Sequence, residues 1–147
     1  MRGFTAPIHR SGAVIPVLVG VGEQHRKFLQ RIGQAVPSPL PLQFLIDTGA
    51  SCSWVDEMHM RSLGLQPRSW AEVHTVTGGG IATEFPAYEV GITLGGQASP
   101  NTRRFQLLIG GQPFINQPFD GLIGRDILNV CRIGWNGPAR EIRIDYE

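Results

Sequence analysis

One short stretch of the chain combines an isolated carboxylate with the small residues of a tight turn. Residues 44–51 read Phe-Leu-Ile-Asp-Thr-Gly-Ala-Ser, so an apolar strand leads Asp47 into a turn at Thr48 and Gly49. A carboxylate at the end of a buried strand costs free energy unless it is paired, hydrogen-bonded or neutralised. Two interpretations follow: a turn aspartate that bonds its own backbone, or a carboxylate kept for acid–base chemistry.

A second segment favours the chemical interpretation. Residues 119–128 read Phe-Asp-Gly-Leu-Ile-Gly-Arg-Asp-Ile-Leu, in which an apolar pair is followed by Gly124 and Arg125. This segment resembles the element that supports the catalytic loop in retropepsins, and Asp-Thr-Gly-Ala resembles the active-site motif of the retroviral-type enzymes. The chain is therefore similar to the retropepsin-like aspartic proteases. A short helix predicted after the motif, ending at about Leu63, resembles their single-domain cellular and bacterial branch more than the viral enzymes.

The resemblance implies catalytic roles for Asp47, Thr48 and Gly49. Two such carboxylates placed side by side share one proton, because both cannot ionise cheaply. The ionised member is then the general base for a water molecule, and the protonated member polarises the peptide carbonyl. Thr48 would donate a hydrogen bond to the backbone of a second copy of the chain, and Gly49 would let the substrate backbone come close.

The number of motifs has a consequence for assembly. Two-lobed aspartic proteases carry two Asp-Thr/Ser-Gly motifs, whereas this chain has one, because Asp120-Gly121 lacks the intervening Thr or Ser. The resemblance therefore implies a homodimer with the site on its two-fold axis. A different class of function is also open, because a fold does not guarantee activity: a peptide-binding or dimerisation module that does not cleave.

A predicted hairpin would cover the cleft. Two extended runs around a Gly-Gly-Gly turn indicate a β-hairpin at about residues 72–94, at the position of the retropepsin flap. An ordinary hairpin is the alternative. The predicted substrate-binding residues come from the motif loop (residues 47–51), from this hairpin and from the second segment (residues 119–128). They are Ala50, Ser51, Gly78, Gly79, Gly80, Ile81, Asp120 and Leu122.

Within the second segment the residues have different expected roles. Leu122 is expected to face the pocket and Ile123 the core, because successive strand residues point to opposite faces. Ile123, Gly124 and Arg125 are the expected structural support of the site. For Asp120 a turn role is favoured over selection of a basic substrate residue. We otherwise expect hydrophobic residues beside the cut bond.

The chain departs from the retroviral pattern just after the motif. Ser51 and Cys52 stand where retroviral enzymes have acidic residues, so Arg125 lacks the usual carboxylate and must find another anion or stay hydrated. Cys52 is expected to be a small buried residue.

Composition favours an all-β fold. The 19 glycines and 11 prolines among 147 residues, with short alternating runs, predict many turns and one or two short helices. The resemblance implies a closed retropepsin-like acid-protease barrel with one lobe per chain. We expect residues 1–12 to be an irregular, flexible segment unless they pair at the edge of the dimer, and residues 13–147 to be the protease domain. Its insertion at residues 23–41 is interpreted as either an amphipathic helix or a mobile loop.

Three further elements are predicted from local signals. Residues 53–56 resemble a capping box that would start a helix running to about Leu63, with Gly64 as its C-cap. Residues 126–130 are interpreted as a short helix. Residues 132–135 and 141–146 predict a C-terminal hairpin, which would form either the dimer's sheet or an edge within the chain.

The remaining composition argues against other classes. A net charge of +1 gives no electrostatic reason to bind nucleic acid or a membrane. The four histidines lack metal-ligand spacing, and two cysteines are too few for a disulfide framework, so neither a metal nor another cofactor is expected. No apolar run is long enough to cross a bilayer, and no convincing signal peptide is present, which predicts a cytoplasmic location. The expected partners are a second copy of the chain and a peptide or protein substrate.

Overall fold

The computed structural model describes residues 2–74, 82–97 and 102–147. Strands dominate these ranges, and the predicted β-rich class is confirmed. The strands are β1 (Arg2–Pro7), β2 (Val14–Val21), β3 (Leu40–Ile46), β4 (Trp54–Asp56), β5 (Ser69–His74), β6 (Ala82–Leu94), β7 (Phe105–Gln112), β8 (Gly121–Ile123), β9 (Cys131–Asn136) and β10 (Glu141–Tyr146). The helices are α1 (Glu23–Arg31), α2 (Glu57–Ser62) and α3 (Arg125–Leu128).

Six strands close into the predicted barrel. They are hydrogen-bonded in the order β2, β3, β8, β4, β7 and β6, and β6 pairs again with β2. β5 extends the sheet beyond β6 and forms the described part of the predicted hairpin with it, from Ser69 opposite Ala87 to His74 opposite Ala82. The glycine tip of this hairpin lies outside the described residues. Closure satisfies the backbone hydrogen bonds of the barrel strands without leaving an edge.

Large aliphatic side chains fill the barrel. In the middle of β2, Ile15, Val17 and Val19 are fully buried and the residues between them are half-buried, as in a strand with one face in a core. Ile123 is fully buried, which agrees with its predicted core position. Other fully buried core side chains are Phe44, Val90, Ile92 and Ile109.

A second sheet brings the two chain ends together. β10 lies between β1 and β9, which confirms the predicted C-terminal hairpin. The expectation that residues 1–12 are irregular is wrong for Arg2–Pro7, because every residue of this strand pairs with β10. Ile142 and Ile144 of β10 are fully buried, so the apolar face of this sheet belongs to the same core as the barrel. A distant partner strand, rather than a local pattern, orders the N-terminal residues.

The insertion contains a helix, as one of its two interpretations predicted. α1 begins directly after β2, where the backbone N–H of Glu23 donates to the side-chain oxygen of Gln106 at 2.9 Å. Of its apolar residues only Leu29 is buried, whereas Phe28 and Ile32 are about half exposed. The helix is thus held at its first turn and by one side chain.

The predicted capping box at residues 53–56 is wrong. Trp54–Asp56 forms strand β4, and Asp56 is the N-cap of α2, where its carboxylate accepts a hydrogen bond from the Met58 N–H at 3.1 Å. Ser53 cannot cap the helix because a three-residue strand separates it from the first turn. Gly64 lies just beyond the helix with φ of +72°, in agreement with the predicted helix end.

No helix in the described ranges is long and apolar enough to span a membrane.

Tyr88 connects the barrel to α2. Its side chain is buried, and its hydroxyl donates to the Glu57 carboxylate at 2.9 Å. Burial, followed by this hydrogen bond, raises the pKa of Tyr88 to about 12. The neutral phenol is therefore the form that the fold stabilises.

This raised pKa predicts an alkaline loss of stability. The folded pKa lies above the value of about 10 expected for an unfolded tyrosine, so the contribution is complete below about pH 10 and is lost as the pH rises towards about 12. We expect the free energy of unfolding, measured by urea denaturation, to fall across this range in the wild type. Tyr88→Phe should show a smaller fall, and equal falls in both proteins would contradict the assignment.

Candidate active site

Asp47 lies immediately after β3, at the start of the motif loop. Its backbone N–H donates to the carbonyl of Ile123 in β8 at 2.9 Å, which fixes where the loop leaves the barrel. One of its carboxylate oxygens accepts a hydrogen bond from the Gly49 N–H at 3.0 Å. The side chain is half-buried. The carboxylate is thus oriented by its own turn and still accessible to water or a ligand.

The segment after β8 packs directly against this loop. A Cβ atom added to Gly124 would lie 2.4 Å from the carbonyl oxygen of Cys52, so only glycine allows this approach. The backbone N–H of Arg125 donates to the Ala50 carbonyl at 2.9 Å, and its guanidinium donates to the Thr48 carbonyl at 2.8 Å. The guanidinium of Arg125 therefore binds a backbone carbonyl of the motif, in place of the acidic side chain that retroviral enzymes have just after the motif.

Ser53 and Asp126 form a second clamp that the sequence analysis missed. The Ser53 hydroxyl donates to Asp126 at 2.7 Å, and the Ser53 backbone N–H donates to the other carboxylate oxygen at 2.9 Å. The same hydroxyl accepts a hydrogen bond from the Gly124 N–H at 3.0 Å. Ser53 is fully buried, so these bonds are shielded from water. The available signal was an acidic residue directly after Arg125.

The motif loop forms one wall of a cleft of about 590 Å³. Gly49, Ala50 and Ser51 line it. The predicted contact of Ala50 and Ser51 with a substrate stays a prediction. Cys52 also lines the cleft and is exposed, so its predicted burial is wrong. The described lining residues are Gly49, Ala50, Ser51, Cys52, Trp54, Ser69, Glu72, Ala87, Leu108 and Gly110.

Two predicted substrate-binding residues lie elsewhere. Asp120 accepts a hydrogen bond from the Gln43 N–H at 2.9 Å and contacts His59 Nε2 at 3.1 Å, which agrees with the favoured turn role. Leu122 is half-buried and pairs with Leu45, and the described cleft lining includes neither Leu122 nor Asp120.

The last four predicted substrate-binding residues cannot be placed. Gly78, Gly79, Gly80 and Ile81 lie outside the described residues, so their role as a flap stays a prediction.

The Ser53 clamp predicts a stability effect. Ser53→Ala removes the acceptor of the Gly124 N–H and the donor to Asp126, so we expect the free energy of unfolding to fall by about 1–3 kcal/mol in urea denaturation. The matched control is Ser62→Ala, because Ser62 also donates one hydrogen bond, to the His59 carbonyl, but is exposed. The control should lose no more than about 0.5 kcal/mol. Equal losses in the two variants would contradict the clamp.

Comparisons with known proteins agree with this geometry. A family model described as aspartyl protease matches residues 32–127. Among solved structures, the chain is similar to a retropepsin-like aspartic protease from Rickettsia conorii, with a TM-score of 0.60 and 12% identity over 99% of this chain and 91% of that one. A comparison with curated proteins gives no match.

The chain is also similar to the aspartic proteinase from Irpex lacteus, with a TM-score of 0.51 and 12% identity over 99% of this chain. The match covers 47% of the Irpex lacteus chain, so this chain spans about half of that length. At this level of identity both structural similarities bear on the fold alone.

Proposed function

The chain belongs to the aspartyl protease family, and we propose that it is a homodimeric aspartic endopeptidase with Asp47 as the catalytic residue of each subunit. Family and retropepsin-like fold support protease activity in general. The observation that carries the more specific proposal is the placement of Asp47. Its carboxylate accepts a hydrogen bond from the Gly49 N–H and is partly accessible. Asp47 is not among the described cleft-lining residues, but it lies two positions before the first of them, Gly49.

One carboxylate per chain supports assembly into a dimer. The sequence contains a single Asp-Thr-Gly motif, and the mechanism needs two acids. The fold matches almost the whole of the Rickettsia conorii protease but about half of the Irpex lacteus proteinase. Both observations support one lobe per chain, with the second lobe supplied by another copy.

In the proposed reaction the two Asp47 residues share one proton and act on a single water molecule. The ionised carboxylate takes a proton from the water, whose oxygen attacks the carbonyl carbon of the substrate. The protonated carboxylate donates to the carbonyl oxygen, which gives a tetrahedral diol. As the diol collapses, the carboxylate that took a proton from the water gives it to the leaving nitrogen, and the other carboxylate takes a proton back from a diol hydroxyl. The C–N bond breaks, and the products are an acid and an amine.

Neighbouring residues have positioning roles in this proposal. The bond from Arg125 to the Thr48 carbonyl keeps the motif turn in place, so that the exposed Thr48 can reach the partner subunit. Ala50 and Ser51 would contact the substrate in the cleft. The hairpin of β5 and β6 would lie over an extended peptide, which adds strand-like hydrogen bonds.

Removal of the carboxylate tests the catalytic role. Asp47→Asn should lower cleavage of a mixed peptide library by about 10³-fold or more between about pH 3.5 and 7, because it removes the general base. Asp56→Asn is the matched control, since asparagine also caps a helix well and Asp56 lies outside the cleft lining. Inhibition by pepstatin would add support.

Each outcome of this experiment has a distinct meaning. Equal cleavage by the wild type and Asp47→Asn would exclude Asp47 as the catalytic residue. If both proteins are inert yet dimeric in sedimentation, the non-cleaving peptide-binding module becomes the better function.

A mixing experiment tests whether both subunits contribute to one site. After subunit exchange, an equal mixture of wild type and Asp47→Asn contains about one quarter wild-type dimers if pairing is random. Activity should then be about one quarter of that of pure wild type at the same total concentration. A value of about one half would mean that each chain acts alone and would contradict the shared site.

A further inference from the structure

A second groove opens beside the cleft on the outer face of the barrel. It has a volume of about 440 Å³, and we call it the side groove. Its described lining residues come from α1, from the segment before β5, and from β6 and β7: Gln24, Arg68, Glu89, Gln106, Leu107 and Leu108. Leu108 also lines the cleft, so the two depressions meet at this side chain.

The strand register places the cleft and the side groove on the same face of the sheet. Gln106, Leu108 and Gly110 share one face of β7, because strand residues two apart point the same way. Gly110 pairs with Ala87, and both line the cleft. The next pair on this face, Leu108 with Glu89, lines the side groove. A strand rises about 3.3 Å per residue, so Gly110 and Gln106 are about 13 Å apart, the length of about four extended residues.

The inserted helix α1 forms the far wall of the side groove. The backbone N–H of Glu23 donates to the side-chain oxygen of Gln106 at 2.9 Å, which fixes the first turn of α1 beside β7. The Glu23 carboxylate also lies 3.9 Å from the guanidinium of Arg104. Gln24, the next residue, is exposed and lines the side groove. The insertion, which the proposed catalytic mechanism does not use, is therefore held beside a path that leads out of the cleft.

The lining of the side groove suits part of a peptide. Leu108 is 51% exposed and Leu107 is half-buried, so an apolar side chain packed against them would remove apolar surface from water. The side-chain amide of Gln24 can both donate to and accept from a peptide backbone. Arg68 and Glu89 form an ion pair with each other at 3.0 Å. Apolar and amide groups together match an extended peptide that carries an apolar side chain.

We propose that the side groove is an exosite, a second binding site for a part of the substrate away from the cut bond, and that it takes an apolar side chain within about four residues of the cleft. This inference rests on the proposed protease function. The occupant is the substrate itself, because the side groove is continuous with the cleft at Leu108. Residues bound there do not touch the reacting bond, so their contacts lower KM rather than raise kcat.

Peptide length tests the exosite. A peptide cut in the library is extended to about seven residues on each side of the cut bond, so that both ends reach past the cleft, and is then shortened from each end in turn. In the wild type, removal of the residue that occupies the side groove should lower kcat/KM about tenfold, mainly through KM, because one buried apolar contact is lost. Serine in place of the apolar residue at full length should cause a similar loss.

A variant on α1 connects this length dependence to the side groove. Gln24→Trp fills the groove with a bulky side chain, so the ratio of kcat/KM for the long and shortened peptides should fall from about ten to about one. The matched control is Gln30→Trp, since Gln30 is also exposed on α1 but lies outside the described lining. It should keep the wild-type ratio. A wild-type ratio near one, or a ratio that Gln24→Trp leaves unchanged, would overturn the exosite while the proposed protease function stands.

Binding separates the two proposals if cleavage fails. Peptides that Asp47→Asn retains from the same library are made fluorescent at full and shortened length. Anisotropy then gives their dissociation constants for Asp47→Asn and for the Asp47→Asn, Gln24→Trp double variant. If the wild type cleaves no peptide, but Asp47→Asn binds the long form about tenfold more tightly and the double variant does not, the protease function fails and the exosite stands. Equal affinities for the two lengths, or no retained peptide, would overturn the exosite.

Discussion

The insertion of β8 between β3 and β4 is the constraint on which the rest of the site depends. β8 runs parallel to β3, the strand before the motif loop, and antiparallel to β4, the strand after it. A strand of three residues therefore holds both ends of a loop that begins at Asp47. Because β8 belongs to a closed barrel with a fully buried core, a shift of the loop would also disturb the barrel.

The close approach of β8 explains the residue types around it. A Cβ atom on Gly121 would lie 2.3 Å from the carbonyl oxygen of Trp54, and one on Gly124 would meet Cys52 in the same way. Glycine at both ends of β8 lets the two segments meet backbone to backbone. The hydrogen bonds of Ser53, Arg125 and Asp126 then connect side chains to that contact, so the position of the Asp47 carboxylate is set by the barrel rather than by the loop alone.

Much of this arrangement could be predicted from the sequence because its signals are local. The motif at Asp47, the apolar pair before Gly124 and the alternation in β10 each specify a turn or a face. The predictions that are wrong, for residues 1–12, for the capping box and for Cys52, failed because contacts between residues far apart in the sequence decide the structure there. Pairing with β10 orders Arg2–Pro7. Ser53, which we interpreted as a helix cap from its local spacing, instead forms hydrogen bonds with Asp126 and Gly124. Cys52 is exposed because its backbone, rather than its side chain, packs on Gly124.

The second sheet separates the folding of one lobe from its assembly. The resemblance to retroviral enzymes implies chain ends that interleave between subunits. Here, however, every residue of β1 pairs with β10 of the same chain. The apolar side chains of β10 are buried in the core of that chain, so the lobe does not need a partner to cover them. Assembly would then be required for the chemistry rather than for the fold, because a single chain contributes only one Asp47. If the lobe folds alone and two copies are needed for the chemistry, proton sharing and cleavage depend on protein concentration, whereas the fold of the lobe does not.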